Sequence, residues 1–183
     1  HPNVLLRFTG EYTNSGNYTE NVQTQRYNLN PSLTLTNHES TQLTLQGKIS
    51  RWKQPDYQGL PATGAIAGPF RIPKNAWIGS SDIPDSQTEF NSVTASFDHK
   101  FNSIWSLNLK ARYAQSDFDQ KVQSLVGNGY SFVADTPFSP AATWGLVNTR
   151  LFQDQQERSF MGNLQAKFNY GFTKNTWLIG ADH

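Results

Sequence analysis

Apolar and polar residues alternate one for one, over about ten residues at a time, in five stretches of this 183-residue chain. The clearest is Tyr27-Asn28-Leu29-Asn30-Pro31-Ser32-Leu33-Thr34-Leu35-Thr36, where odd positions are apolar or proline and even positions are polar. Successive side chains of a strand project to opposite faces, so this pattern describes strands with one face on something greasy and the other on water. A helix would need a period near 3.6, which none of these stretches has.

The same reading places a first strand over 3–12, with Val4, Leu6, Phe8, Gly10 and Tyr12 on one face. Arg7, Thr9 and Glu11 take the other, and Leu5 is the one exception. A third strand carries Leu43, Leu45, Gly47 and Ile49 against Gln42, Thr44, Gln46 and Lys48. A fourth carries Val93, Ala95, Phe97, His99 and Phe101, and a fifth Trp105, Leu107, Leu109, Ala111 and Tyr113. A sixth carries Phe160, Gly162, Leu164, Ala166, Phe168 and Tyr170, and a seventh begins at Thr176 with an ambiguous facing. Residues 37–40, 102–103 and 173–175 read as tight turns. Residues 52–89, broken by prolines and glycines, and 117–156, with a hairpin signal at Gly127-Asn128-Gly129, read as long connections.

Connections thus alternate between short and long, the rhythm of an outer-membrane β-barrel with short periplasmic turns and long outer loops. Phe101, Trp105, Tyr170 and Trp177 lie on apolar faces beside the short turns, and Tyr12, Tyr27 and Tyr113 lie toward the long loops. Such sorting is expected of rings at the two headgroup levels of a bilayer. From Trp105 to Tyr113 a strand rises about 26 Å, or about 20 Å of height at a ~40° tilt, close to the ~25 Å band of a barrel.

Composition narrows the alternatives. A formal charge of +1 with no basic stripe argues against a nucleic-acid partner. No run approaches the ~18–20 apolar residues that a membrane-spanning helix needs. Mean hydropathy is −0.61, which a barrel accommodates because its two faces average out. The absence of cysteine removes disulfide frameworks and zinc–thiolate sites. His1, His38, His99 and His183 have no ligand spacing, and no catalytic constellation is present, so the chain does not read as an enzyme. Asp98 and His99 point to opposite faces, while Asp117 and Asp119 share one and read as a solvated loop start sooner than a calcium site. His1-Pro2-Asn3 opens directly into a strand pattern with no leader before it, the expectation for an interior fragment.

Several segments in order carry a family likeness: Asn30-Pro31-Ser32-Leu33-Thr34-Leu35, Asp56-Tyr57-Gln58-Gly59-Leu60-Pro61, Arg71-Ile72-Pro73 with Trp77-Ile78-Gly79, and Phe97-Asp98-His99-Lys100-Phe101. Trp105-Ser106-Leu107, Ala111-Arg112-Tyr113 and Leu178-Ile179-Gly180-Ala181-Asp182 complete the set. Together they resemble the barrel of TonB-dependent ferric-siderophore receptors, in particular the ferrichrome-type branch, over roughly 24–113 and 158–183. Leu35 stands where that family usually has Trp, and 117–156 matches nothing in it.

The resemblance implies an all-β chain of antiparallel strands forming part of a 22-stranded outer-membrane β-barrel, with about seven strands here. Residues 1–183 would be a partial barrel segment without the plug domain and the C-terminal strands. It implies active transport of a ferric siderophore across the outer membrane of a Gram-negative bacterium. The siderophore would be cargo and not a resident cofactor, and the partners would be outer-membrane lipid and, through the missing plug, the TonB complex. The ligand candidates are the loop aromatics and cations Trp52, Tyr57, Phe70, Arg71, Lys74, Trp77, Tyr130, Phe132 and Trp144; packing of the loops on one another competes with ligand contact for each of them. Lumen-facing Arg7, Arg26, Lys48, Lys110, Arg112 and Lys167 are expected to meet plug carboxylates or one another. The competing architecture is a soluble all-β carbohydrate- or surface-binding sandwich with the loop aromatics as its platform.

Overall fold

Each alternating stretch becomes a strand, and every strand pairs only with its neighbours in the chain. The computed structural model describes residues 2–68, 70–126 and 144–183. Its strands are β1 (Val4–Gly16), β2 (Gln23–Thr36), β3 (Thr41–Gln54), β4 (Ser86–Lys100), β5 (Trp105–Val126), β6 (Gly145–Tyr170) and β7 (Thr173–Asp182). They form one antiparallel sheet in the order β1-β2-β3-β4-β5-β6-β7. A single turn, α1 (Ala62–Ala65), lies in the β3–β4 connection. No described helix is long and apolar enough to cross a membrane, which says nothing about crossing by strands.

One sheet without a second layer has no interior, and the burial says so. Among the described residues the buried apolar side chains are few: Val22, Ala114, Val126 and Ala166, with Pro55 and Pro61 in the β3–β4 connection. Leu33, Leu45, Phe97, Leu107 and Leu164 lie on one face and none is buried. Leu6 is 81% exposed and Phe8 70%, a large apolar surface that a protein in water would cover. The sandwich alternative requires a facing sheet, which the described residues do not form.

Cross-strand register shows how the apolar face is laid out. Tyr12 opposes Tyr27, but the apolar run on β3 ends at Ile49, two residues below the partner of Tyr27, Arg51. On β4 and β5 it ends two lower again, at the opposed pair Val93 and Tyr113. On β6 it ends at Phe160, opposite Ala111 and two residues below Tyr113. The lower margin descends in parallel, from Val4 and Leu35 to Phe101, Trp105 and Phe168. The apolar runs cover 4–12, 27–35, 93–101 and 105–113, the same length on four strands, and 160–170 on β6.

The margin therefore drops by six residues, about 20 Å, across five strand spacings, about 24 Å. That slope corresponds to a tilt of about 40°, inside the ~35–45° range of membrane barrels. A band of constant height running obliquely across the strands is what a level bilayer draws on tilted strands. The opposite face is wet: Thr34 and Thr44 hydroxyls lie 3.1 Å apart, and Ser50 donates to Asn28 at 2.6 Å. The register also settles β7, whose Trp177, Ile179 and Ala181 oppose Ala166, Leu164 and Gly162 on the apolar face.

Three expectations need correction. Residues 117–156 are not mainly a connection: β5 continues to Val126 and β6 starts at Gly145, paired without interruption from Trp105↔Ala166 to Val126↔Gly145. Tyr113 thus marks the upper margin of the band and not the start of a loop. The last turn is Gly171-Phe172, since Tyr170 pairs with Thr173 and Gly171 has φ +58°. Glycine at the first central position with positive φ is what a type II′ hairpin turn uses. Asp119 is an interior strand residue, gripped by the Arg150 guanidinium at 2.7 and 3.0 Å and by Lys121, so it is not a loop-start carboxylate. The turn at 37–40 is as expected, with the Asn37 side-chain oxygen accepting from the backbone N–H of Glu39, Ser40 and Thr41. The hairpin signal at Gly127-Asn128-Gly129 lies outside the described residues.

Candidate functional site

Above the apolar band, the connections at 17–22 and 55–85 are tied to each other and to the tall β5–β6 hairpin. Glu20 N–H donates to the Asn75 carbonyl at 2.8 Å, and the Asn75 amide returns a bond to the Glu20 carboxylate at 2.7 Å. β4 pairs with β5 only up to Asp119, so the edge of β5 beyond it has no strand partner on that side. An open edge of N–H groups has to be satisfied in another way. Ser86 Oγ accepts from Lys121 N–H at 3.0 Å, the Asp56 carboxylate accepts from Gln123 N–H at 2.7 Å, and Ser80 N–H donates to the Gln123 side chain at 2.7 Å. Gln123 is 2% exposed, and its burial is matched by these bonds.

This frame positions the candidate ligand residues. Asp56 is its pivot, because its carbonyl also accepts the Trp77 indole N–H at 3.0 Å. Trp77 thereby commits its polar end to the loop, and its ring lies against Gly79. Phe70 packs over Gly64, a buried glycine at φ +94° where an added Cβ would come within about 2.3 Å of the Phe70 ring. Phe70 meets Trp144 edge-on, with centroids 5.8 Å apart, so two distant candidates are brought together across the two long connections. Arg71 beside them is exposed and donates weakly to the carbonyls of Gly68 and Phe70, at 3.4 and 3.3 Å. Lys74 is exposed nearby in sequence, Tyr57 is exposed next to Asp56, and Trp52 sits apart on the inner face of β3 opposite Arg26 and Thr88. Tyr130 and Phe132 lie outside the described residues.

On the inner face, Arg26 pairs with Glu11 at 3.0 Å and Arg112 with Glu157 at 3.6 Å. Phe90 lies between two cations, 5.3 Å from Lys48 Nζ and 5.9 Å from the Arg112 guanidinium. Sequence reasoning passed over Phe90. Its signal was there: an aromatic at an even position of β4, where the alternation calls for a polar residue. Asp56 and Gln123 were also missed, and nothing local marks them, since their bond spans 67 positions.

Electrostatics above the band centre on Asp119. Hydrogen bonding from Arg150, then from Lys121, lowers its carboxyl pKa from 3.8 to about 2. With its oxygens so engaged, Asp119 does not offer a cation site with Asp117, and no metal-holding cluster is found among the described residues. His99, on the apolar face, bonds Thr41 at 2.9 Å between the rings of Phe97 and Phe101, while Asp98 accepts from Asn108 on the other face. The two form no dyad, as their alternation requires.

No family model matches the chain. It is 28% identical over 113 residues to the ferrioxamine receptor of Yersinia enterocolitica, which covers 61% of this chain and 16% of that receptor. The fold is similar to the ferric-catecholate import receptor Fiu of E. coli K12 in its closed form, with TM-score 0.75 and 15% identity. That match covers 100% of this chain and 27% of Fiu. The P. aeruginosa receptor FpvA, solved bound to a pyoverdine–iron complex, gives TM-score 0.77 at 12% identity over 98% of this chain and 23% of its own. The chain therefore spans less than a third of each of these three proteins. Its fold is that of the barrel wall of siderophore receptors, and the likeness to TonB-dependent siderophore receptors read from the motifs stands on sequence and on fold together. These relatives are receptors and not enzymes.

Proposed function

We propose that this chain is a stretch of the outer-membrane wall of a TonB-dependent ferric-siderophore receptor. It supplies seven of about 22 strands and, in the connections at 17–22 and 55–85, part of the outer mouth. The oblique band of constant height carries this reading, because a wall in water would have no reason to grade its apolar margin strand by strand. Seven strands do not close a barrel, so uptake belongs to the whole receptor, with a plug as gate and the TonB complex as energy source. The ferric siderophore is cargo, met first at the mouth around Phe70, Trp144 and Arg71.

The test uses cells in which the whole receptor is the sole route for a ferric siderophore. Leu33→Lys, on the lipid face near mid-band, should cost about 2–4 kcal/mol of barrel stability and deplete the receptor from the outer membrane, lowering uptake in proportion. Thr34→Lys, one residue on and facing the lumen, should leave receptor level near normal. Equal effects of the two, or no iron uptake by the native receptor, would refute the reading.

A further inference from the structure

His99 is the one basic side chain in the apolar runs of the seven strands. Its lateral surroundings are complete in this chain, because β4 lies between β3 and β5. Its neighbours on that face are Thr41 and Leu43 of β3, Leu107 of β5, and Phe97 and Phe101 on either side along β4, none of them charged. Asp98 and Lys100 project to the wet face by alternation. A polar ring on a greasy face costs free energy unless both its nitrogens are bonded.

A chain of hydrogen bonds from the turn at 37–40 settles one nitrogen and defines the other. The Asn37 side-chain oxygen accepts from three backbone N–H groups, so the amide nitrogen is the end that donates to Ser40 Oγ, at 3.0 Å. Ser40 Oγ, occupied as an acceptor, turns its own hydrogen to Thr41 Oγ1, 3.4 Å away. Thr41 in turn directs its hydrogen to His99 Nδ1 at 2.9 Å. Nδ1 is then an acceptor, which puts the ring's hydrogen on Nε2. Nothing among the described residues accepts it. Stacking on Phe97, with centroids 6.1 Å apart, and an edge contact with Phe101 at 4.6 Å hold the ring in place.

The height of this donor says what can meet it. Thr41, the partner of His99, lies just below Leu43, where the apolar run of β3 begins, and Phe101 ends that of β4 two residues beyond His99. His99 therefore stands at the lower margin of the band, the periplasmic side in the receptor reading, where hydrocarbon gives way to glycerol and phosphate.

We infer that His99 is a lipid headgroup site: its Nε2–H donates to a phosphate oxygen of one inner-leaflet glycerophospholipid, whose acyl chains lie over Phe97 and Leu107. Thr41 is a positioning residue that fixes the ring's tautomer. The inference rests on the receptor reading given above. A phosphate supplies what hydrocarbon lacks at that level, a charged acceptor for a donor already oriented.

The whole receptor, extracted in mild detergent and stripped of lipid, is titrated with phosphatidylglycerol and, separately, with diacylglycerol of the same chains, and native mass spectrometry follows the bound molecules. One phosphatidylglycerol should bind about tenfold more tightly than diacylglycerol, the worth of a hydrogen bond to a charged group. His99→Phe should abolish that preference and leave diacylglycerol binding unchanged. Thr41→Val should weaken phosphatidylglycerol binding, and nitrogen NMR of histidine-labelled receptor should show the His99 hydrogen, held on Nε2 in the native protein, shared between the two nitrogens. Resistance of each barrel to detergent unfolding controls for assembly, and the native spectrum tests the tautomer without any variant. A native receptor that binds both lipids alike, a His99→Phe variant that keeps the preference, or a native ring with its hydrogen on Nδ1 overturns the inference and leaves the receptor reading standing. Displacement of the lipid by a second receptor copy also overturns it. Failure of the native receptor to insert into phospholipid vesicles refutes the receptor reading itself.

Discussion

β5 shows the same strand face in two solvents. From Trp105 to Tyr113 its odd positions are Trp, Leu, Leu, Ala and Tyr; from Gln115 to Gln123 they are Gln, Asp, Asp, Lys and Gln. Pairing with β6 is continuous across the change, so backbone geometry does not distinguish the two halves. What differs is how each half is held. The lower half exposes an apolar face, which lipid would cover in the receptor wall proposed above. The upper half stands in water, clasped by Arg150 on Asp119 and sealed along its free edge by Ser86 and Asp56. Surroundings, and not strand propensity, determine which residues a strand carries.

The sharpest way to break this contrast is to put the same charge on both halves. In the whole receptor, Leu109→Lys should cost about 2–4 kcal/mol of folding free energy, and Gln115→Lys only about 0–1, because the penalty falls off toward the interface. Denaturant titration of the barrel reconstituted in vesicles measures both, and comparable costs would place the two residues in one environment. A smaller effect should follow removal of the edge seal. Asp56→Ala leaves the buried Gln123 N–H without an acceptor, for about 1–3 kcal/mol of local stability. Hydrogen exchange should then speed up at Gln123 and in the 55–85 connection while the amides of 107–111 keep their protection. Asp56→Asn, which retains an acceptor oxygen, should recover much of it.

Acid should produce the smallest response, again in the upper half alone. Because the folded carboxyl of Asp119 titrates at about 2 and not near 3.8, its contribution is intact above about 4 and is lost as pH falls toward about 2. Pepsin, active throughout that window, should cut the upper hairpin increasingly as pH drops through it. Asp119→Asn should be cut alike at pH 4 and pH 2, and a native hairpin with no such trend would dismiss the Arg150 clasp as a stabilising contact.

The same contrast explains what could be read in advance. Within the band the two faces see different solvents, so Leu33 and Thr34 declare their facing by composition alone. Above it both faces are wet, alternation carries no signal, and the strand continuation through 117–126 and 145–156 looked like a loop. The turn at Gly171-Phe172 was displaced because Thr173-Lys174-Asn175 has turn composition, whereas pairing of Tyr170 with Thr173 decides the matter. Phe70, Trp77 and Trp144 were visible as loop aromatics. That Phe70 would meet Trp144 while Trp77 turned to Asp56 depended on contacts between distant segments, which no local pattern records.

The oblique margin has one more consequence, for how such a wall tolerates rearrangement. β1 shares its offset along the ladder with β2, and β4 with β5, and the offset steps between these pairs and again at β6. Exchanging β2 with β6, both well-formed amphipathic ribbons, would lift one girdle out of register and sink the other into hydrocarbon. Duplication or loss of a hairpin should therefore succeed only where the new register restores the slope of the margin.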